Sequence, residues 1–251
     1  MIRKQLIFKT DKDILLPYSY QHDIQKNLYH YIEISDCKKS RRIHDEGYSV
    51  ASGHKFKLFN FTLLFENAIF HKDGIKCADK TTIKLLITGK KHIIESIFKG
   101  LLETRQLKIG ENVLEFVNIT NDKKVYFKNI MLYNSFSPIV TSTKDDKLKT
   151  QYLSPYEEGY FHNLAENARR KYKIIYNKDY EGELFFDLDD ALSVKSKFIK
   201  IKAGGVRGYE YNIWIEADKD MQKIIYYLGL GQNSSIGCGC LNFVKGVNPD
   251  E

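Results

Sequence analysis

The sequence contains no apolar run that approaches the roughly 20 residues needed to span a bilayer. Residues 1–6 lead directly into a strand-like pattern and contain no signal-peptide core. The four cysteines are scattered, at Cys37, Cys77, Cys238 and Cys240, and no second Cys/His pair completes a metal site beside the last two. These absences argue against a membrane protein, an exported disulfide framework and a metal centre. We expect a cytoplasmic protein with reduced thiols that uses no metal and no cofactor.

The apolar residues of the first half follow an ordered series of periodicities. Strand-like patterns occupy residues 2–9, 55–65, 81–88 and 113–119. Helical spacing predicts helices at residues 20–34 and 91–103, and the buried face of the first would carry Ile24, Leu28, Tyr31 and Ile32. The resulting order, β-α-β-β-α-β, is that of the ferredoxin-like unit.

The second half repeats this unit. Strand-like patterns lie at residues 125–133, 139–143, 198–203, 209–217 and 240–245. The segment Ser154-Pro155-Tyr156-Glu157 is typical of a capping box with proline at the first helical position, and Asp218 is a candidate cap for a later helix. We therefore predict an α+β fold of tandem ferredoxin-like (RRM-like, βαββαβ) domains, at residues 1–124 and 125–251. No low-complexity linker separates them, so we expect them to pack together.

The most distinctive motif is the glycine loop, residues 229–239, with the sequence GLGQNSSIGCG. A P-loop would open a helix with Gly-Lys-Ser/Thr, and a dinucleotide fingerprint would join a strand to a helix. This loop instead follows an apolar helical segment and precedes a strand-like one. Consecutive N–H groups in such a loop can bind phosphate; the alternative is that the glycines only permit a tight turn. The phosphate-binding interpretation includes Gly229, Gly231, Gln232, Asn233, Ser234, Ser235, Gly237 and Gly239.

The whole excess of positive charge lies in the first half of the chain. The net charge is +7; residues 1–130 contain 23 Lys+Arg against 15 Asp+Glu, and residues 131–251 contain 16 against 17. The first half includes a basic run formed by Lys38, Lys39, Arg41 and Arg42. Such a distribution favours a polyanionic partner, nucleic acid first and an acidic membrane second.

These features together resemble one family, the CRISPR-associated repeat endoribonucleases of the RAMP superfamily (the Cas6 family). The resemblance rests on the glycine loop between the last helix and the last strand of a tandem ferredoxin-like pair. Further matching stretches are Leu16-Pro17-Tyr18, Leu28-Tyr29, His44, Lys57-Leu58-Phe59 and Ser137-Pro138-Ile139. The resemblance covers nearly the whole chain. It implies an enzyme that binds the repeat of a CRISPR precursor transcript and cuts it once without a metal, leaving a 2′,3′-cyclic phosphate and a 5′-OH.

The resemblance also assigns the catalytic roles. Attack by the ribose 2′-OH requires proton transfer, which suits His44, and stabilisation of the phosphorane charge, which suits Lys57. Tyr29 would position the nucleophile or exchange a proton through its hydroxyl. The rivals for these three roles, close by in sequence, are His54, Lys55 and Tyr31.

Two other interpretations remain open. One is a non-catalytic RNA-binding RAMP subunit of a guide-RNA complex, and the other concerns the lysines of the segment 195–202. Those lysines would form either an RNA-facing edge or an edge that blocks aggregation. The expected partners are CRISPR repeat RNA and other Cas effector subunits, and the chain would act as a monomer or a homodimer.

Overall fold

A computed structural model of the chain describes residues 1–41, 43, 47–49, 55–190, 193–201 and 204–247, with the backbone alone at Lys39 and Arg41. The helices are α1 (Tyr20–Ser35), α2 (Cys37–Arg41), α3 (Lys91–Thr104), α4 (Tyr160–Tyr176) and α5 (Lys219–Leu228), and a 3-10 turn occupies Ser234–Ile236. Within these ranges, no helix combines the length and the apolar character that a bilayer crossing requires.

The strands of the first half form one large and two small sheets. They are β1 (Ile2–Lys9), β2 (Ile14–Leu16), β3 (Tyr48–Ser49), β4 (Lys55–Phe56), β5 (Phe59–Phe65), β6 (Ile69–His71), β7 (Gly74–Cys77), β8 (Thr82–Gly89), β9 (Gln106–Ile109) and β10 (Asn112–Asn121). The large sheet has the antiparallel order β5-β8-β1-β10-β9. With α1 and α3 placed between its strands along the chain, this is a ferredoxin-like unit extended by β9.

The second half contains the same unit again. Its strands are β11 (Ile130–Ser135), β12 (Ser142–Lys144), β13 (Thr150–Tyr152), β14 (Phe185–Leu188), β15 (Lys195–Ile201), β16 (Gly204–Glu210), β17 (Asn212–Glu216) and β18 (Leu241–Val247). The main sheet has the antiparallel order β14-β17-β11-β18. Along the chain, β15 and β16 lie between β14 and β17 and form a separate hairpin. The predicted tandem ferredoxin-like fold is confirmed.

The predicted buried face of α1 is confirmed, because Ile24, Leu28, Tyr31 and Ile32 are almost fully buried. Helix α3 packs closely against it at Gly100. A Cβ atom at Gly100 would lie 2.0 Å from the Tyr31 carbonyl oxygen. Only glycine therefore allows the two helices to approach this far.

The start predicted for α4 is wrong. Ser154 donates its backbone N–H to Glu157 Oε2 at 2.5 Å, as a capping box would require, but the Glu157 N–H bonds to the Ser154 carbonyl and closes a turn. Gly159 then has a φ of +81°, which a right-handed helix cannot contain, so α4 begins at Tyr160. The cap predicted at Asp218 is confirmed, since its side chain accepts the N–H groups of Asp220 and Met221.

The two halves pack against each other through polar groups as well as apolar ones. Asn60 in β5 is fully buried, and its Nδ2 donates to the Cys238 carbonyl at 2.8 Å. Thr88 in β8 donates to the Tyr227 carbonyl of α5 at 2.9 Å. The guanidinium of Arg3 lies 4.2 Å from the centre of the Tyr226 ring. These contacts join the first sheet to α5 and to the glycine loop.

Candidate functional site

An open cleft of about 620 Å³ lies where the two halves meet. Residues 55–57 come from the first half, and the second half contributes residues 142–143, one side of α4 and the loop residues 231–235. Lys55, Lys57 and Arg170 bring positive side chains to this cleft, Glu166 brings one carboxylate, and the almost fully buried Lys171 lies in its wall. The arrangement suits an extended anionic ligand that contacts both halves.

Lys57 lies at a sharp bend between β4 and β5, where Leu58 has a φ of +55°. The predicted continuous strand 55–65 is therefore interrupted, and the bend directs Lys57 to the cleft. Its Nζ donates to the Ile43 carbonyl at 2.6 Å. A Cβ atom at Gly47 would lie 3.5 Å from the same Nζ. The Lys57 ammonium thus lies close to both ends of the segment 43–47.

Tyr29 lies on α1, and its ring meets the Phe59 ring edge-on with 5.9 Å between the centroids. Burial raises the pKa of the Tyr29 hydroxyl to about 12. One turn earlier on α1, Gln25 donates from Nε2 to the Ser235 carbonyl at 3.0 Å, so this helix also contacts the glycine loop. The rival Tyr31 is 1% exposed and its hydroxyl donates to the Gln106 carbonyl, which identifies it as a core residue.

Several predicted site residues lie outside the described residues. These are His44, its rival His54, and Arg42 of the basic run. Lys38 is exposed on α2, whose backbone also includes Lys39 and Arg41. Helix α2 is joined to α1 by a hydrogen bond of 3.4 Å from Ser40 Oγ to the Tyr29 carbonyl. The basic run therefore begins beside the helix that carries Tyr29.

The glycine loop has a part that lines the cleft and a part that packs inward. Residues 231–235, which comprise Gly231, Gln232, Asn233, Ser234 and Ser235, line the cleft. Gly229, Gly237 and Gly239 instead pack against protein. A Cβ atom would lie 2.1 Å from Asn60 Nδ2 at Gly229 and 1.9 Å from the Leu230 carbonyl oxygen at Gly239. These two glycines therefore have a steric reason for their identity, whatever the cleft binds.

Lys171 on α4 is a site residue that the sequence did not reveal as such. It is 2% exposed, and its Nζ donates to the carbonyl oxygens of Gly229 and Gly231 at 2.8 and 2.9 Å. Burial lowers the pKa of its ammonium to about 7. The sequence signal lies in the helical register, because Lys171 follows Leu164 by seven residues and Ala168 by three, and both are buried.

The lysines of β15 do not line the cleft. Lys195, Lys197 and Lys200 are exposed on the β15–β16 hairpin, and Lys197 forms an ion pair with Glu210 at 3.7 Å. Lys202 lies outside the described residues. The hairpin stands apart from the main sheet of the second half, so its charge belongs to another surface.

Two ferredoxin-like units in tandem, with a glycine loop before the last strand, define the class of fold, and the family comparison is more specific. Residues 15–120 match the family described as "CRISPR-associated protein Cas6, N-terminal", and residues 120–243 match "CRISPR associated protein Cas6, C-terminal". Together these two matches cover most of the chain. The chain therefore belongs to the Cas6 family.

Curated relatives and solved structures agree with this assignment. The chain is 28% identical to the CRISPR-associated endoribonuclease Cas6 1 of Methanocaldococcus jannaschii, over 98% of this chain and 94% of that protein. A solved structure described as "CRISPR associated protein Cas6" has a TM-score of 0.80 at 26% identity, covering 97% of this chain and 99% of that one. A Cas6-related protein of Pyrococcus furiosus has a TM-score of 0.84 at 20% identity, with 97% and 98% covered.

Proposed function

We propose that this protein is a metal-independent endoribonuclease that binds and cuts CRISPR repeat RNA in the precursor transcript. The observation that carries the proposal is the cleft, because it brings Lys57 of the first half and the glycine loop of the second half to one surface. Membership of the Cas6 family and the endoribonuclease named in Methanocaldococcus jannaschii support the same activity.

The proposed reaction is an internal transesterification. The 2′-oxygen forms a bond to the adjacent phosphorus while the bond between phosphorus and the 5′-oxygen breaks. A proton leaves the 2′-OH and a proton reaches the departing 5′-oxygen, which yields a 2′,3′-cyclic phosphate and a 5′-OH. All atoms come from the RNA and the proton carriers, so side chains can perform every step.

The catalytic roles that the family resemblance assigns fit the chemistry of three side chains. His44 transfers protons, because an imidazole titrates near neutral pH. Lys57 stabilises the phosphorane as a compact positive charge, and its bond to the Ile43 carbonyl supports this role because Ile43 directly precedes His44. Tyr29 remains protonated at neutral pH, since burial raises its pKa to about 12, and so acts as a hydrogen-bond donor that positions the nucleophile.

RNA binding is assigned to the cleft and to the basic run. Residues 231–235 of the glycine loop contact the RNA backbone in the cleft. Gly229, Gly237 and Gly239 complete the loop that positions these residues. The basic run of Lys38, Lys39, Arg41 and Arg42 attracts the RNA towards the catalytic residues. Phosphate contacts of this kind release counterions, so the affinity falls as salt concentration rises.

The direct test incubates the purified protein with repeat RNA in excess EDTA. We expect a single cut with a cyclic phosphate on the 5′ fragment, and no cut when the scissile nucleotide carries 2′-deoxyribose. Intact RNA would contradict the proposed enzyme. Tight binding without any product would instead identify a non-catalytic RNA-binding subunit, and an affinity independent of salt would contradict the proposed phosphate contacts.

A further inference from the structure

Lys171 is buried without a partner of opposite charge among the described residues. Its neighbours on the buried side of α4 are Leu164 and Ala168, which are apolar, and Asn167, which is polar. A buried charge that lacks a counterion costs free energy unless hydrogen bonds compensate for it. Here the compensation comes from two backbone carbonyl oxygens, so the role of this lysine is tied to the peptide groups that accept its hydrogen bonds.

The two acceptors of Lys171 belong to two peptide units of the glycine loop. In a trans peptide the carbonyl and the next N–H point in opposite directions. The Gly229 carbonyl bonds to Lys171 while the Leu230 N–H bonds to the Gly239 carbonyl at 2.9 Å. The Gly231 carbonyl likewise bonds to Lys171 while the Gln232 N–H bonds to the Val140 carbonyl at 2.7 Å. Both peptide planes are thus held on two sides.

The second held peptide, between Gly231 and Gln232, forms the start of the cleft-lining part of the loop. Gly229 and Gly231 both have a φ of +79°, a conformation that glycine adopts without steric cost, so the hydrogen bonds rather than side-chain sterics hold these two residues in place. Residues 233–235, which line the cleft, follow directly after the second held peptide. Without the ammonium, two carbonyl oxygens would be buried without a donor, and the loop would turn them towards water.

We propose that Lys171 is a positioning residue for RNA binding: its ammonium holds the peptide units at Gly229 and Gly231 so that residues 231–235 are preorganised to contact the RNA backbone. The inference rests on the proposed function of the cleft. Lys171 acts through the loop and does not itself contact phosphate.

The test compares Lys171→Met with Lys173→Met in the full-length protein. Lys173 lies two residues further on the same helix, is exposed, and pairs with Asp179 outside the cleft, so it controls for the lost charge. For Lys171→Met we expect the Kd for repeat RNA to rise about tenfold, as the loss of one or two hydrogen bonds predicts. The cleavage rate at saturating RNA should fall by less than about threefold. The substitution would then raise KM while leaving kcat nearly unchanged, as expected of a residue that acts on binding.

The salt dependence separates positioning from direct contact. A residue that binds a phosphate lowers the slope of log affinity against log salt by about 1 when it is removed. We expect Lys171→Met to retain the wild-type slope and Arg170→Ala, on the cleft surface, to reduce it. A reduced slope for Lys171→Met would show direct contact and overturn the proposal, and so would a Kd within twofold of wild type.

Hydrogen exchange in the absence of RNA tests the loop independently of the proposed function. The amides of Leu230 and Gln232 should exchange faster in Lys171→Met than in Lys173→Met. Equal exchange would overturn the positioning role even if RNA binding changed. If the wild-type protein failed to bind RNA, the proposed function would fail while the exchange result still decided whether Lys171 orders the loop. Should neither Lys171→Met nor Lys171→Gln fold, Lys171 has a folding role and the proposal is wrong.

Discussion

His44 is the residue on which the proposed chemistry depends most. A positioned proton carrier contributes roughly 10²- to 10⁴-fold to a rate, so His44→Ala should slow single-turnover cleavage of repeat RNA by about that factor while the Kd stays within about threefold. The matched control is His54→Ala, which should cut at nearly the wild-type rate. Undiminished cleavage by His44→Ala would transfer the role to His54.

Lys171 should also make the stability of the protein depend on pH. Its pKa is about 7 in the folded chain and about 10.4 in an unfolded one. At a pH between these two pKa values, the unfolded chain binds more protons at this residue than the folded chain does. The free energy of unfolding of the wild type therefore increases as the pH rises. The stability of Lys171→Met relative to wild type should therefore fall by about 3 kcal/mol between pH 7 and pH 10.

Urea denaturation of both proteins at the two pH values measures this difference. A relative stability that does not change with pH would show that Lys171 has an ordinary pKa. The variant Lys173→Met provides the control, because it removes one lysine from the exposed side of the same helix.

At the scale of single residues, the sequence predicted which apolar residues are buried better than it predicted the burial of a charged residue. Helical spacing alone identified Ile24 and Leu28 as core residues. It also placed Tyr31, but not Tyr29, on the same buried face. The burial of Lys171 was missed, because lysine is rarely fully buried and its residue type alone favours an exposed position. The catalytic roles of His44, Tyr29 and Lys57 stay predictions.

At the scale of elements, Gly239 of the glycine loop can be compared with Gly110, which lies between β9 and β10. Gly239 has a φ of +69° and almost no space for a Cβ atom, whereas Gly110 has a φ of +57° with no atom within 4 Å of its Cβ position. Gly110→Ala should lower the free energy of unfolding by about 1 kcal/mol from backbone strain alone. Gly239→Ala should cost about 3 kcal/mol or more, because the Leu230 carbonyl must also move.

Chemical denaturation of the two variants measures both effects. Equal losses of stability would show that the close contact at Gly239 relaxes easily, and that conformation rather than space selects glycine there.

Long elements with a strong period were predicted well, and short ones were not. Helices α1 and α3 end within one or two residues of their predicted bounds. Strand β14 and the β6–β7 hairpin were missed because they are short and partly exposed, so their sequences carry little alternation. The local signal at Ser154–Glu157 was real, but it forms a turn because Gly159 reverses the chain.

At the scale of the whole molecule, the order of elements along the chain was sufficient to predict the tandem fold. Repetition of one β-α-β-β-α-β order leaves few topologies, since connections are short and do not cross. The contacts between the halves were beyond such reasoning, because Asn60 and Thr88 pair with backbone carbonyls far away in sequence. The domain boundary between residues 124 and 125 stays a prediction.

Those contacts predict that the two halves unfold together. Trp214 is the single tryptophan and lies in β17 of the second half, whereas far-ultraviolet circular dichroism reports on the whole chain. The two signals should give coincident denaturation curves. A tryptophan transition at a different midpoint would show that the halves unfold separately.

The cleft between the halves has a consequence for the ligand as well as for the protein. A strand of RNA that touches residues 55–57 and 231–235 together would act as a crosslink between the two halves. Ligand present at about 100 times its Kd adds about 2.7 kcal/mol to the stability of the form that binds it. A substitution that weakens the contact between the halves then lowers the affinity for RNA without contacting the RNA. An RNA fragment that contacts only one half does not stabilise the contact between the two halves.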